Sequence, residues 1–393
     1  MILNRFGYSE YDDTPEKWSL KGMKLEKVNL LVGKNATGKS RTLDRIKILA
    51  AMFTGKQLFS LNIVDTAYFY AEFLDTTDSY SYSLKTENRK ISLEQLTITR
   101  MNESRLLLDR RKSGEGDILY SDKNDRLKFK LPDNHPTVFL KRDMIQHPFL
   151  EKLFEWAEGV SYHQFGLTAI RESFLAPLSF DKIDMMIDNN KIKDFYNAPA
   201  LFYAGEKEFG DDFKKIILHD FYEVGYNLTD IYLGQNPHLA MEQKADNPIV
   251  MLSIVEADRN AILFQSQMSQ GMFRALSLLI HVEYYIIKKI PTTILIDDIG
   301  EGLDFERSTK LINLLIELAE KNDNIQLIMS TNDRYVMNKV PFKYWQLINR
   351  KGGECNVYNY KNSKEIFDEF KYTGLNNFDF LATDFINSGL EQK

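Results

Sequence analysis

Cysteine is almost missing from this chain of 393 residues, in which Cys355 is the single example. One cysteine excludes an internal disulfide framework and suits a protein that works in a reducing compartment. The first ten residues contain no basic segment followed by an apolar one, so no export signal is expected. We therefore expect a cytoplasmic protein.

Long hydrophobic runs are missing as well. The longest apolar stretch, residues 275–287, is interrupted by His281 and Glu283 and is shorter than a bilayer span. The sequence also contains no lipidation motif and no low-complexity tract. These absences predict a protein that does not associate with membranes.

An excess of positive charge is the third absence. The formal net charge is -6, with 27% charged and 44% hydrophobic residues, which is the composition of a globular protein. An acidic balance provides no global basic field that would attract nucleic acid. One local basic cluster, residues 110–112, is interpreted as a solvated loop, with nucleic acid contact as the alternative.

What the sequence does contain is a glycine-rich loop between a predicted strand and a predicted helix. An apolar run, residues 28–32, precedes the loop, and apolar residues with helical spacing occupy residues 43–53 after it. The loop matches the phosphate-binding pattern G-x-x-x-x-G-K-[ST] in full. The matching residues are Gly33, Lys34, Asn35, Ala36, Thr37, Gly38, Lys39 and Ser40.

The chemistry of such a loop follows from its backbone. Glycines let successive N–H groups point at a phosphate, and the N-terminus of the following helix adds the positive end of its dipole. Lys39 would contact the β and γ phosphates, and the Ser40 hydroxyl would hold Mg²⁺. Arg41, the next residue, is included in this predicted nucleotide site.

The residues before and after this loop predict two kinds of structure. Alternation in residues 1–29 predicts edge strands, in which Tyr8 and Trp18 are interpreted as core residues, with adenine stacking as the alternative. Short alternating runs in residues 67–132 predict an antiparallel sheet. From residue 147 the apolar spacing is helical and no heptad is sustained, which predicts a compact lid rather than a long coiled coil.

Two later segments contain residues suited to a phosphate site. Ser269 suits the cap position of a long apolar helix, and Gly271 leaves backbone N–H groups open at its positive end. Further on, a continuous apolar strand ends in Asp297 and Asp298, which is typical of a buried parallel strand with carboxylates at its C-terminal end. A helical stretch and another buried strand, residues 325–329, follow and favour a parallel sheet with right-handed crossovers.

The last part of the chain begins with a predicted hairpin and ends in a segment dense in aromatic residues. Docking on the chain's own body is the predicted role of this segment, with a partner surface as the alternative. The predicted fold class is α/β, with a mixed sheet, an antiparallel β subdomain and a helical insertion. The expected boundaries are an N-terminal lobe at 1–145, a helical insertion at 146–248 and a C-terminal lobe at 249–393.

The order of these motifs resembles that of an ABC-type P-loop ATPase head. The matching segments are residues 33–40, Ser269-Gln270-Gly271, the strand to Asp297-Asp298, Gly302-Leu303-Asp304 and Ser330-Thr331-Asn332. The sequence is similar to the head domains of the SMC, RecF and OLD lineage, and most closely to the small bacterial AAA-family ATPases that accompany effector proteins in defence operons. The resemblance covers residues 20–50 and 250–350 well and the middle only in layout.

The resemblance implies a role for each matching residue. Lys39 and Ser40 would bind the phosphates and the Mg²⁺ of ATP, and Asp297 would support the metal. Ser269 and Gly271 would contact the γ-phosphate of a nucleotide bound to the opposite protomer.

Four further residues are assigned by the same resemblance. Asp304 would be the D-loop aspartate, and Gln146 would be the glutamine that senses the metal and the attacking water. Asp298 stands where the family usually has a glutamate general base and is one methylene shorter. Asn332 stands where many members have a switch histidine and cannot carry a proton. Because catalytic groups must lie within hydrogen-bond reach, we expect slow ATP hydrolysis.

The function that the resemblance implies first is an ATP-dependent homodimer that signals to a separate effector, a nuclease or toxin, in antiphage defence. ATP contacts both subunits of such a dimer and therefore stabilises it. A RecF-like DNA-binding repair factor and a nucleotide-dependent scaffold without hydrolysis are the alternatives. A GTPase is excluded, because Asn338-Lys339 is followed by Val340-Pro341 and not by the rest of the base-reading motif N-K-x-D.

Overall fold

The computed structural model describes residues 1–56, 64–165, 180–188, 198–235, 250–259 and 261–387. The chain divides into two compact units. The first unit comprises Met1–Tyr162, Pro291–Ile296 and Gln326–Lys393. The second unit comprises His163–Ile290 and Asp297–Ile325. This division differs from the three consecutive segments expected from the sequence, because the chain leaves and re-enters each unit.

Strands are the main elements of the first unit and also occur in the second, and the strands of both units are numbered together. In chain order, the strands of the described residues are β1 (Ile2–Glu10), β2 (Trp18–Lys24), β3 (Val28–Val32), β4 (Ala67–Asp75), β5 (Asp78–Glu87), β6 (Lys90–Arg100), β7 (Glu103–Arg111), β8 (Glu115–Tyr120), β9 (Asp125–Lys130), β10 (Val160–Gln164), β11 (Leu228–Gln235), β12 (Val250–Glu256), β13 (Ala261–Phe264), β14 (Thr292–Asp297), β15 (Ile325–Ser330), β16 (Trp345–Lys351) and β17 (Glu354–Asn359).

Helices are the main elements of the second unit and also occur in the first, and the helices of both units are numbered together. In chain order, the helices of the described residues are α1 (Lys39–Phe53), α2 (Thr137–Leu140), α3 (Pro148–Glu158), α4 (Phe180–Asp188), α5 (Ala198–Phe209), α6 (Asp211–Val224), α7 (Gln270–Ile287), α8 (Phe305–Lys321), α9 (Arg334–Lys339), α10 (Lys364–Lys371) and α11 (Asp379–Ala382). None of these helices combines the length and the apolar character that crossing a membrane would require.

A large mixed sheet runs through the first unit. Among the described residues it has 14 strands, in the order β10-β14-β15-β3-β16-β17-β2-β1-β4-β5-β6-β7-β8-β9. β3 lies between β15 and β16 and is parallel to both. Every residue of β3, β14 and β15 is buried, as parallel strands covered on both faces require. The predicted α/β fold with a mixed sheet is therefore confirmed.

The antiparallel part of this sheet runs from β4 to β9, and each strand pairs with the next one along the chain. In β4, Phe69 and Phe73 are buried in alternation with partly exposed residues. Two aromatic contacts join the helices to this part of the core. The Phe53 ring of α1 lies 4.8 Å from the Tyr82 ring, and the Trp156 ring of α3 lies 4.6 Å from the Phe73 ring. The expected antiparallel sheet is present.

The second unit is built around α7. Every residue of α7 from Gly271 to Tyr285 is buried. The Phe209 ring of α5 and the Phe213 ring of α6 lie 6.3 Å and 6.4 Å from the Tyr284 ring of α7. β11, β12 and β13 form a separate antiparallel sheet. The predicted helical region thus also contains strands.

The aromatic C-terminal segment packs on the first unit itself. Phe367, Phe370 and Phe380 are fully buried. The rings of Phe367 and Phe380 stack with their centroids 4.9 Å apart, and the Phe342 ring lies 5.6 Å from that of Phe380. Internal docking, the role predicted for this segment, accounts for these side chains.

Arg110, one of the three residues of the predicted basic cluster, is fully buried. Its guanidinium is fully buried at the end of β7 and forms an ion pair with Glu94, with an N–O distance of 3.1 Å. The Glu94 carboxylate also accepts hydrogen bonds from the Tyr82 hydroxyl at 2.9 Å and the Thr137 N–H at 2.8 Å. The guanidinium donates to the His135 carbonyl at 2.8 Å. The prediction of a solvated loop is wrong for Arg110, whose charge is not accessible to nucleic acid.

Breaking this buried ion pair should destabilise the protein, because the remaining charge would lose its compensation. We expect Glu94→Ala to lower the free energy of unfolding by about 3–5 kcal/mol. Glu115 is a matched control, since its ion pair with Lys130 is exposed, with an N–O distance of 3.0 Å. Glu115→Ala should cost less than about 1 kcal/mol. Urea unfolding measures both values, and equal losses would contradict the importance of the buried pair.

A pair of buried carboxyl groups belongs to the helices of the second unit. Asp220 of α6 and Glu283 of α7 are 5% and 4% exposed. Burial raises the pKa of Glu283 to about 8, and the neighbouring Asp220 charge adds to this rise. Burial also raises the pKa of Asp220. Glu283 therefore carries a proton at neutral pH.

The raised pKa of Glu283 should make the stability of the protein depend on pH. As pH increases from about 4.5 to about 8, the unfolded chain releases this proton while the folded chain retains it, so stability falls through this window. We expect Glu283→Gln to flatten the fall and to stabilise the protein by about 1–3 kcal/mol more at pH 8 than at about pH 5. Urea unfolding across this range measures the effect. Glu306→Gln, at an exposed position of α8, should leave the profile unchanged, and a Glu283→Gln profile parallel to that of the natural chain would refute the prediction.

Candidate functional site

The glycine-rich loop makes a tight connection between β3 and α1. Gly33, Ala36 and Gly38 have φ angles of 155°, 62° and 104°, in the region that favours glycine. A Cβ atom at position 38 would lie 2.5 Å from the Trp18 ring, and one at position 33 would lie 2.6 Å from the carbonyl oxygen of Ile348. The backbone conformation and the close neighbours therefore both require glycine at these two positions.

Lys39 begins α1 and turns back towards the loop. Its side chain is buried, and its Nζ donates hydrogen bonds to the carbonyls of Gly33 at 2.8 Å and Lys34 at 3.3 Å. The N-terminus of α1 places the positive end of the helix dipole beside this ammonium group. A fixed cation next to open backbone N–H groups is the arrangement that binds phosphate.

The loop borders a cavity of about 290 Å³. The residues that line it come from β2, the loop, α1, the turn after β15 and β16. They are Trp18, Asn35, Ala36, Gly38, Lys39, Ser40, Arg41, Asn332 and Arg350. Three of the nine are cationic and none is acidic, so the cavity suits an anionic ligand. The structure therefore brings Arg41 and Asn332, two predicted site residues, together with the phosphate loop.

Arg41 lies across the indole ring of Trp18. Its guanidinium carbon is 5.1 Å from the ring centroid, and a guanidinium nitrogen is 3.1 Å from the Glu10 carboxylate. Arg45 binds the other oxygen of Glu10 at 3.3 Å. Trp18 and Tyr8 are 1% and 3% exposed, which agrees with their interpretation as core residues. Trp18 also contributes to the cavity wall.

Two residues that support the loop were missed in the sequence. Arg350 of β16 donates a hydrogen bond to the Ala36 carbonyl at 3.2 Å, and the Cys355 thiol of β17 donates one to the Thr37 carbonyl at 3.3 Å. Burial raises the pKa of Cys355 to about 11, so the thiol stays protonated. Both residues are far from the loop along the chain, and no local pattern indicated either contact.

Asp297 and Asp298 stand at the end of β14, as expected. Asp297 is buried, and its carbonyl accepts a hydrogen bond from the Phe165 N–H at 2.9 Å. Asp298 has a φ angle of 55°, which is uncommon for residues other than glycine. Its carbonyl accepts a hydrogen bond from the Glu301 N–H at 3.1 Å. The chain therefore turns sharply directly after the strand.

Gln146 is not among the residues that line the cavity. It lies in an exposed turn, where its N–H donates to the Asp143 carboxylate at 2.6 Å and its carbonyl accepts from the Ser121 N–H at 2.9 Å. Gln164 is a second glutamine, at the end of β10, the neighbour of β14 in the sheet. The residue after it donates the hydrogen bond to Asp297. The position of Gln164 at the end of a strand is a sequence signal that was not used in the prediction.

Ser269 and Asp304 both cap helices of the second unit. The Ser269 hydroxyl accepts a hydrogen bond from the N–H three residues later at 3.2 Å, and the Asp304 carboxylate does the same at 3.0 Å. Gly271 lies in the first turn of α7, where a Cβ atom would be 2.1 Å from the Gly302 carbonyl oxygen. The cap predicted at Ser269 is therefore present, with a glycine beside it.

A nucleotide site of this kind needs oxygen donors for Mg²⁺. Across the part of the chain that the structure describes, no three side chains of histidine, cysteine, aspartate or glutamate are grouped to hold a metal ion. Mg²⁺ in nucleotide sites typically takes one or two protein ligands together with phosphate oxygens. The Ser40 hydroxyl and the Asp297 carboxylate are each an oxygen donor of the kind that Mg²⁺ prefers.

A phosphate loop after a buried parallel strand and carboxylates at the end of another define the class of the protein as a P-loop ATPase of the AAA and SMC-head type. The chain belongs to the family described as "AAA domain, putative AbiEii toxin, Type IV TA system", which matches residues 28–338. The resemblance inferred from the order of the motifs is thereby confirmed. A comparison with curated proteins found no match.

The chain is similar in fold to solved SMC head domains. It matches the SmcHead bound to the C-winged helix domain of ScpA at 13% identity and a TM-score of 0.52, over 91% of this chain and 98% of that one. The SMC head domain from Thermotoga maritima matches at 13% identity and a TM-score of 0.44, over 91% of this chain and 99% of that one. A third match is an Smc head domain with an extended coiled coil, bound to the C-terminal domain of ScpA derived from Pyrococcus furiosus. Its identity is 11% and its TM-score is 0.45, over 94% of this chain and 99% of that one. The first of these comparisons shows the shared fold.

Removing the Lys39 ammonium should weaken nucleotide binding, because phosphate oxygens would lose a charge-assisted hydrogen bond. We expect Lys39→Ala to raise the Kd for ATP by about 10- to 100-fold. Isothermal titration calorimetry measures the Kd, and a melting curve checks that the variant is folded. Lys47→Ala is the matched control, since Lys47 lies on the same helix and is exposed. If Lys39→Ala bound ATP as tightly as the natural chain, the cavity would not be the nucleotide site.

Proposed function

We propose that this protein is an ATP-dependent switch in bacterial antiphage defence. Two copies bind ATP and Mg²⁺, associate head to head across two nucleotides, hydrolyse ATP slowly and signal to a separate effector protein, a nuclease or toxin. The observation that carries the proposal is the presence in one chain of a cationic cavity around Lys39 and a long helix capped by the exposed Ser269.

Nucleotide binding by the first unit is supported by the charges of the cavity. Lys39, Arg41 and Arg350 supply positive charge, and glycine-rich loops of this kind direct backbone N–H groups at a phosphate. ATP at neutral pH carries several negative charges, which would neutralise these cations.

Association of two copies is supported by the helix start of α7. Ser269 and Gly271 stand at the positive end of a long helix, where a γ-phosphate from the nucleotide of a partner subunit would be stabilised. Such an arrangement is symmetric, since each copy contributes one phosphate loop and one helix start. A ligand that contacts both copies favours the dimer by mass action.

For hydrolysis, we propose Asp298 as the general base that accepts a proton from the attacking water. Mg²⁺, held by Ser40 and Asp297, would neutralise charge that develops on the phosphate oxygens. The Asn332 amide can donate a hydrogen bond to a phosphate oxygen but cannot transfer a proton. Gln164, at the end of the strand next to β14, is a better candidate than Gln146 for the glutamine near the metal.

The defence setting is supported by the family to which the chain belongs. The description of that family names an AbiEii toxin and a type IV TA system. One solved SMC head with a similar fold is bound to a domain of ScpA, so a head of this architecture can bind another protein. A separate effector is therefore a partner of the kind that this fold accommodates.

Replacing the proposed base should trap the ATP-bound dimer. We expect Asp298→Asn to lower the hydrolysis rate by about 100-fold or more and to increase the fraction of protein at twice the monomer mass in ATP. Asparagine tolerates the left-handed backbone at this position. Light scattering gives the mass, and phosphate release gives the rate. Asp13→Asn is the matched control, since Asp13 is exposed and has a φ angle of 70°.

Three outcomes of these measurements bear on the proposal. A protein that stays monomeric in ATP and in a non-hydrolysable analogue would contradict the dimer. Equal phosphate release by the natural chain and by Lys39→Ala would favour the scaffold without hydrolysis. A rate above several per second for the natural chain, without any partner, would contradict slow hydrolysis.

A further inference from the structure

We propose that Arg274 is a positioning residue that joins the helix start at Ser269 to the turn that contains Asp298, so that the two segments move together. This inference rests on the proposed function, because it concerns how contact between a nucleotide and the helix start would affect the base. All the residues that carry it belong to the second unit.

The two segments approach each other at a pair of glycines. A Cβ atom at Gly271 would lie 2.1 Å from the carbonyl oxygen of Gly302, and a Cβ atom at Gly302 would lie 2.8 Å from a guanidinium nitrogen of Arg274. Gly302 also has a φ angle of 81°. The contact with a backbone oxygen leaves no space for a side chain at Gly271, so the helix start lies directly against the backbone of the turn.

Hydrogen bonds from Arg274 connect the two segments at this contact. The side chain is 7% exposed, and its guanidinium donates to the Glu301 carbonyl at 3.2 Å and to the Gln270 side-chain oxygen at 3.3 Å. Gln270 belongs to the first turn of α7, and Glu301 belongs to the turn after β14. A planar guanidinium that bonds to both fixes their distance and their angle, which a flexible ammonium group does not.

The turn that accepts this hydrogen bond begins at Asp298. The Glu301 N–H donates to the Asp298 carbonyl at 3.1 Å, and the Leu303 N–H donates to the Gly300 carbonyl at 3.1 Å. Asp298 and Gly300 both have positive φ angles, of 55° and 97°. These two turns, each closed by a backbone hydrogen bond, are the path by which a displacement of Glu301 reaches Asp298.

In the proposed dimer, this connection would couple the two nucleotides. Ser269 of one subunit contacts the nucleotide of the partner subunit, while Asp298 of the same subunit acts on that subunit's own nucleotide. Because Arg274 joins the two segments, occupancy of one site would change the position of the base in the other. Hydrolysis should therefore depend cooperatively on the ATP concentration.

Two substitutions test the role of Arg274. Arg274→Met removes the donors, and Arg274→Lys keeps the charge without the planar fork. We expect both variants to bind ADP as the natural chain does, to lower kcat by about 10- to 100-fold and to reduce the Hill coefficient for ATP towards about 1. Arg259→Met and Arg259→Lys are matched controls, since Arg259 is an exposed arginine of the same unit, and they should behave as the natural chain.

Amide hydrogen exchange separates failure of this inference from failure of the proposed function. In the nucleotide-free protein, exchange at the Glu301 and Leu303 amides should be faster in the Arg274 variants than in the Arg259 variants. Faster exchange in the Arg274 variants would support the connection between the two segments. If the natural chain at the same time neither hydrolysed ATP nor dimerised, the proposed function would be overturned while the connection stood. Exchange, kcat and cooperativity like those of the natural chain in Arg274→Lys and Arg274→Met would overturn the inference.

Discussion

The backbone of the loop between β3 and α1 is the constraint on which the phosphate cavity depends. The chain must leave a buried strand and enter a helix within six residues. Left-handed angles at Gly33 and Gly38 make this possible, and neighbours at Trp18 and Ile348 leave no space for a side chain. β3 is held between two parallel strands, so the start of the loop has a fixed position.

Charge in the first unit is distributed to match this backbone. The residues that line the cavity include three cations and no acid, while Glu10 compensates Arg41 and Arg45 beside it. Elsewhere in the same unit, Arg110 and Glu94 compensate each other in the core. Positive charge is therefore concentrated where an anionic ligand could neutralise it, although the chain as a whole is acidic.

The second unit uses a similar principle, in which glycine permits a close contact that polar groups then hold. Gly271 lies against Gly302, and Arg274 bonds to the backbone beside them. The turn from Asp298 onwards combines positive φ angles with two backbone hydrogen bonds.

The sequence by itself determined those features that depend on residues close together along the chain. The strand, loop and helix around Lys39, the cap at Ser269 and the carboxylates at the end of β14 follow from backbone preferences, capping and periodicity, which are local properties. Only the tertiary structure decided that Arg350 and Cys355 support the loop, that Arg110 is buried, and that Gln164 rather than Gln146 ends the strand beside β14. These features depend on which strands become neighbours, and periodicity contains no information about contacts between residues hundreds of positions apart.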